Sequence, residues 1–337
     1  MDSLEIQATL FKQIRISLPA HIAMPEKLSE LLGISIDSVY RRIRGEKELS
    51  FDEMCILCES FQISMDQLLN LSEGMVLFQG RFLQSGVFSF EDYLKEMLDK
   101  LRQINSFEKK QLIYQNKDIS IFFYLLFPDL IAFKYYVWLK THFQFPELNK
   151  IGFSFDLLTS EHRLLIKQIN KEFMSIPSVE IMNPDNILTD LRQIEYCKAT
   201  KIFQGEEVLQ RLYKSVEDMI SHMEMQAQIG KKFIPGELPD VNACSHTLYV
   251  HDFHFGDNET LAILDDQKVT VLTHSAINFI STFDTEMGEY SWAFIQNIIR
   301  KSTLISATGE KSRTRFFNLI RERIIAFKTN TVKSLFQ

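Results

Sequence analysis

The chain has 337 residues, 45% hydrophobic and 24% charged, with 12 Gly and 8 Pro, a composition that excludes disorder, collagen-like repeats and a disulfide scaffold. Its 44 acidic and 37 basic residues leave a net charge of −7, which argues against bulk electrostatic coating of nucleic acid or an anionic membrane. Four Cys in so long a chain fit a reducing compartment, and the length suggests about two or three domains.

Met1 to Leu18 carries Asp2, Glu5, Lys12 and Arg15 among its apolar residues, so the basic flank and unbroken apolar core of a signal peptide are missing. The strongest pattern follows, from Leu28 to Leu69. Pro25 to Leu32 reads as a short helix with Pro in its first turn. Gly33 supplies the positive φ that a tight bend requires. Ser35 can cap a second helix, Ile36 to about Ile43, with Asp37 favourably placed against its dipole. Gly45 ends it. Ser50 and Glu53 have capping-box spacing for a helix over Phe51 to Phe61, and Ser64 can cap Met65 to Leu69. Leu28, Leu31, Leu32, Ile34, Val39, Met54, Leu57, Cys58, Phe61, Ile63 and Leu68 recur at helical spacings and can close one small core. Ile36, Asp37, Tyr40, Arg41 and Arg44 are then left outward. A helix held at its base with its outer face free is what major-groove reading requires.

The stretch LSELLGISIDSVYRRIRGEKELSFDEMCILCESFQISMDQLL resembles the helix-turn-helix of Cro and phage-repressor type, the xenobiotic-response-element family. The resemblance covers residues 5–70. It is carried by Leu28, the turn Gly33-Ile34-Ser35, Val39, Arg41, Gly45, the link Leu49-Ser50-Phe51 and the ending Ile63 to Leu69. It implies a five-helix DNA-binding module over residues 1–72, with Ser35 opening the reading helix. It also implies that Ile36, Asp37 and Arg41 face base edges, while Tyr40, Arg42, Arg44 and Lys47 lie near phosphates. The sequence departs from the family at Ser29, where Ala is usual at the helix–helix contact, and at Arg42, where a buried aliphatic is usual.

Residues 1–74 hold 7 Lys+Arg against 12 Asp+Glu, unusual where phosphate neutralisation supplies most of the affinity. Within 36–47, however, Arg41, Arg42, Arg44 and Lys47 outnumber Asp37 and Glu46. Such a local face acts within about a Debye length, roughly 8 Å. It should bind weakly as a monomer, so two half-sites read by a homodimer are expected. Cys55-x-x-Cys58 lacks a second pair and falls inside a helix, so a buried thiol is expected rather than zinc.

Residues 73–88, with Gly74, Gly80 and Gly86, read as a linker. Residues 89–235 read as a helical domain: Ser89 caps Phe90 to Ile104, and Thr159-Ser160 opens a helix to about Met174. Between these, Ile119 to Leu139 is long enough to span a bilayer, but Pro128, Asp129 and Lys134 sit near its middle. Each central charge costs about 2.5–3.5 kcal/mol on insertion. Two buried helices broken at Phe127-Pro128-Asp129 are expected, with no membrane contact and a cytoplasmic location. Asn183-Pro184 starts another helix, and Glu206 to Ile229 follows Gly205 with Leu209, Leu212, Val216, Met219 and Met223 on one face. That stripe suits internal core or dimer contact.

Residues 236–337 read as a small α+β part. Thr247 to Phe255, Thr260 to Leu264, Lys268 to Thr273 and Ala276 to Phe283 suggest a short antiparallel sheet, with Asp265-Asp266-Gln267 at a hairpin. Helices are expected over Glu289 to about Ser306 and Lys311 to Lys328. His246, His251, His254 and His274 cluster near these strands, but His251 and His254 would face opposite sides of a strand, which is poor metal geometry. Lys311, Arg313, Arg315, Arg321 and Arg323 form a basic stretch, either a solvated helix face or a second anion-contacting surface. No nucleophile elbow, zinc-helix or dinucleotide signature occurs, so neither enzymatic activity nor a cofactor or metal is expected.

The expected fold is mainly α. The expected protein is a bacterial DNA-binding transcription regulator with a C-terminal dimerisation or sensing region for a small-molecule or protein ligand. The alternative is a protein-interaction adaptor that uses the helical module without binding DNA.

Overall fold

The computed structural model describes residues 2–19, 22–69, 75–80, 88–143, 145, 151–274 and 277–329. At the N-terminal end, α1 (Ser3–Ser17) opens with a capping box of Asp2 and Glu5. α2 (Met24–Leu32) has Pro25 in its first turn and stops at Gly33, whose φ of +64° lets the chain turn at once into the next helix. Ser35 caps α3 (Ile36–Ile43) through the N–H of Ser38. Ser50 and Glu53 form the capping box of α4 (Phe51–Phe61), and α5 (Met65–Leu68) is one turn long. Leu10, Ile14, Leu28, Val39, Leu57 and Leu68 are buried together between these helices. Fully burying each such aliphatic contributes about 1.5–3 kcal/mol.

The remainder continues with β1 (Gln79–Gly80), α6 (Phe90–Asn105), β2 (Lys110–Gln115), α7 (Ile121–Leu125), α8 (Pro128–Val137), α9 (Ser160–Met174) and β3 (Ser178–Met182). Next come α10 (Leu188–Ala199), α11 (Glu206–Ile229), β4 (His246–Val250), β5 (Glu259–Leu264), β6 (Gln267–His274), β7 (Asn278–Thr282), α12 (Thr285–Arg300), β8 (Thr303–Leu304) and α13 (Glu310–Lys328). Phe127 is extended, as the residue before proline prefers, and Pro128 opens α8. Among the described residues no helix is long and apolar enough to cross a membrane.

The sheet corrects the expectation of a short antiparallel one. Eight strands lie in the order β1-β7-β6-β5-β2-β3-β4-β8. β2 pairs parallel with β3, and β3 parallel with β4, while the other pairs are antiparallel. Two central strands, β2 and β3, come from the segment read as wholly helical. Every residue of β3 is buried. A strand buried on both faces shows none of the alternation that marks a half-exposed one. Because β2 and β3 pair with β5 and β4, segments 89–235 and 236–337 share one sheet rather than separate cores. The linker expected over 73–88 lies largely outside the described residues; within it, β1 pairs with β7 at the sheet edge.

Most helices cover one face of the sheet and close a large core in which Leu94, Ile131, Tyr136, Leu212, Met219 and Phe317 are buried. On the other face, Ile295 and Ile298 of α12 pack over Ile113, Val179, Ile181 and Leu261. The stripe on α11 is wholly internal, since Leu209, Leu212, Val216, Met219 and Met223 are all buried. It is core.

α1 joins the two cores. Ile16 belongs to the larger one. Lys12 pairs with Asp266 in the β5–β6 turn, and Arg15 reaches Asp265 at 3.4 Å. The Arg15 guanidinium also lies 4.8 Å from the centre of the Phe107 ring. Gln103 donates to the Leu18 carbonyl at 2.9 Å.

Candidate nucleic-acid interface

α3 is only eight residues long because Ser35 caps its start and Gly45 ends it two residues past Ile43. Val39 on its inner side is buried in one cluster with Leu28 and Leu57. Gln7 of α1 fixes the segment that follows: its amide nitrogen donates to the carbonyls of Arg42 (2.7 Å) and Lys47 (3.0 Å), and its oxygen accepts from the N–H of Leu49 (2.6 Å). Helix and exit loop are thus held from beneath. Ile36 (46% exposed) and Tyr40 (44%) stand outward, and Ser35, Asp37, Arg41, Arg44 and Lys47 share this exposure.

Arg42 does not. The expectation of a phosphate-contacting side chain is corrected, because its guanidinium turns inward. Nε and Nη2 donate to the two Glu53 oxygens at 3.2 and 2.7 Å, and Nη1 donates to the Ser38 carbonyl at 3.1 Å. The helical repeat places position 42 three residues beyond Val39, on the buried face. A guanidinium is tolerated there because a bidentate carboxylate and a carbonyl satisfy it. Glu53 thus serves both the start of α4, through the Ser50 N–H at 2.9 Å, and the end of α3.

The charges that remain outward are also partly spoken for. Arg44 binds Glu46 with both prongs, at 2.6 and 3.1 Å, and Arg41 Nε lies 3.8 Å from the same carboxylate. The hydrogen bond from Arg44 holds the Glu46 carboxyl below the usual carboxylate range and raises the guanidinium in turn. The outward face therefore combines an apolar and aromatic pair with two arginines that share one acid.

Elsewhere three of the five residues of the basic stretch on α13 are tied within the protein, while Lys311 and Arg315 are exposed. Arg313 is buried and donates to the carbonyls of Ile305 and Thr308. Arg321 pairs with Glu224, and Arg323 with Asp185. Cys58 is buried, and burial pushes its thiol up. No group of His, Cys, Asp and Glu among the described residues has the geometry to hold a metal.

Sequence reasoning named His246 only as one of four histidines near the strands and passed over Glu180 and Lys232. Glu180 of β3 and His246 of β4 are buried on the helix-covered face of the sheet, with His246 Nδ1 3.9 Å from Glu180 Oε1. Asn116 donates to the other Glu180 oxygen at 3.2 Å. Lys232 is buried nearby and donates to the carbonyls of Phe173 and Ile176, both at 2.8 Å, at the end of α9. Burial raises the Glu180 carboxyl to about 7 and lowers the Lys232 amine to about 7. The only sequence signal was a lone Glu inside the apolar run Ser-Val-Glu-Ile-Met.

Comparison of this chain with protein-family models, with characterised proteins and with solved structures gives no match.

Proposed function

We propose that this chain is a DNA-binding transcription regulator that places α3 in the major groove of a duplex, with residues 70 onward serving dimerisation or the sensing of a ligand. The observation that carries the reading is the free outer face of a helix clamped from below: Ile36, Asp37, Tyr40 and Arg41 are exposed while Val39 and Arg42 anchor the opposite side. That division of labour is what groove insertion demands. Arg41 reads a base edge, most simply the O6 and N7 of guanine, while Tyr40, Arg44 and Lys47 hold phosphates. Arg42 has no part in DNA contact and belongs to the scaffold.

The test is selection of bound sites from a random duplex library, followed by variants on the selected site at matched salt. Arg41→Ala should lose on the order of tenfold or more in affinity, the range of a lost bidentate base contact. Arg42→Met combined with Glu53→Gln, which keeps the capping bond to the Ser50 N–H, should bind as the parent does, since both charges of the buried pair are removed together. An Arg41→Ala protein that binds unchanged would sink the assigned face.

A second reading is favoured by the Arg44–Glu46 pairing, which reduces the positive charge offered to phosphates. On it the same face docks a protein and the chain is an adaptor. Enrichment of no site from the library, with Ile36→Asp and Tyr40→Asp proteins still folded but losing a partner, would select it.

A further inference from the structure

The ending of α3 places an acid where a phosphate would sit. Gly45 adopts φ +74°. Its N–H donates to the Arg42 carbonyl at 3.0 Å, and the N–H of Glu46 donates to the Arg41 carbonyl at 2.8 Å. This pair of bonds folds the chain back under the last turn, in the manner of a Schellman ending. Glu46 is thereby delivered beside Arg41 and Arg44 by the backbone rather than by the freedom of its own side chain. Its two oxygens meet the Arg44 fork at 2.6 and 3.1 Å, with Arg41 Nε at 3.8 Å. A carboxylate so presented offers the guanidinium the same planar pair of anionic oxygens that a phosphate offers. All three side chains are about half exposed, so the exchange of one anion for another takes place at the surface.

We propose that Glu46 is the residue that sets the affinity of this face for DNA: it occupies Arg44 and draws on Arg41 in the free protein, and a duplex must displace it. The proposal rests on the DNA-binding reading above. Two consequences follow. The carboxylate competes with phosphate for both guanidinium groups, and it stays beside the backbone after displacement, cancelling part of the charge they bring. The second effect flattens the salt dependence, since each phosphate neutralised steepens the plot of log affinity against log salt by about 0.9.

Glu48 supplies the control. It lies two residues on, is exposed, and accepts from the Ser3 hydroxyl at 2.6 Å rather than from either arginine. Glu46→Gln and Glu48→Gln change the net charge equally. Fluorescence anisotropy with a labelled duplex from the library, and with a scrambled duplex, is measured at several salt concentrations. Glu46→Gln should bind about fivefold to tenfold more tightly than the parent with a steeper salt slope, the scale of one charge-assisted contact regained. Glu48→Gln should change by less than about twofold, as the loss of an exposed charge that meets neither arginine does. Thermal melting checks that both variants remain folded, which exposed pairs of this kind permit. Equal gains for the two variants would show a mere net-charge effect and overturn the proposal, as would a parent that binds and a Glu46→Gln protein that binds no better. Failure of all three proteins on every duplex is a different result: it removes the DNA-binding reading itself.

Discussion

The N-terminal helices and the body behind them are held by contacts of different reach. Within residues 2–69 the tie from Gln7 to Leu49 spans 42 positions. In the body, the N–H of Lys109 donates to Asp265 across 156 positions, and β2 sits between β3 and β5. Short-range contacts form with little loop-closure entropy, whereas long-range strand pairing needs most of the chain in place first. The two regions also differ in what they bury. The N-terminal core encloses the Arg42 guanidinium with its partners in hand, while the body encloses Glu180, Lys232, His222 and His246 with ionisation displaced from the ordinary range. A small core of sequential helices leaves most of its charge in water, in exposed pairs. A large core can hold desolvated polar groups because the apolar burial around them offsets the cost.

That contrast can be broken most forcefully at Leu28, which is wholly buried. Leu28→Ala should cost the N-terminal core about 2–5 kcal/mol. Both tryptophans, Trp138 and Trp292, lie in the body and report only on it. Heating this variant should remove part of the far-ultraviolet helical signal in an early step that leaves tryptophan fluorescence unchanged. A single transition seen by both probes would mean that the two regions unfold as one unit.

The buried polar cluster sharpens the comparison through pH. Burial pushes His246 down to about 3 and His222 down to about 4. Their contribution to stability is present above the unfolded value near 6.5 and is lost as pH falls through those folded values. Glu180, raised to about 7, has the opposite sign: its contribution is full below about 4.5 and is lost as pH rises through 7. Lys232, lowered to about 7, favours the folded state progressively above that pH. Between pH 7 and 5 each histidine should therefore withdraw about 2 kcal/mol. Denaturant unfolding of His246→Gln should show that much less acid destabilisation than the parent over the same interval; equal slopes would contradict the neutral, desolvated histidine.

The smallest effect is expected where the regions meet. Lys12 and Asp266 are both well exposed, and Asp266→Asn should change global stability by less than about 1 kcal/mol. Faster amide exchange over α1, with the sheet unaffected, would mark the pair as part of the joint between the two cores; unchanged exchange would assign that joint to Ile16, Arg15 and Gln103 instead.

Much of the N-terminal organisation was legible from short-range chemistry. Ser35, Ser50 with Glu53, Gly33 and Gly45 mark helix ends through atoms a few residues away, so the limits of α3 and α4 could be written down directly. The break at Pro128 and the stop of α11 at Gly230 were readable for the same reason. Arg42 was not. Its charge pointed outward to solvent while the helical repeat pointed inward, and the deciding group, Glu53, lies 11 positions away on another helix. β2 and β3 were hidden because central strands carry no alternation, and nothing within Ser178–Met182 announces that His246 will lie beside Ser178.

What the sequence by itself determined, then, is where helices begin and end and which side of α3 is apolar, since caps, glycines and periodicity act through neighbours along the chain. Only the tertiary structure decided that Arg42 is a strut, that Glu46 shares both outward arginines, that the sheet is mixed and that Glu180, His222, Lys232 and His246 are sealed within the body. Each of those outcomes depends on a partner brought close by folding, and the strength of a charge or hydrogen bond is set by the distance and the desolvation that folding creates.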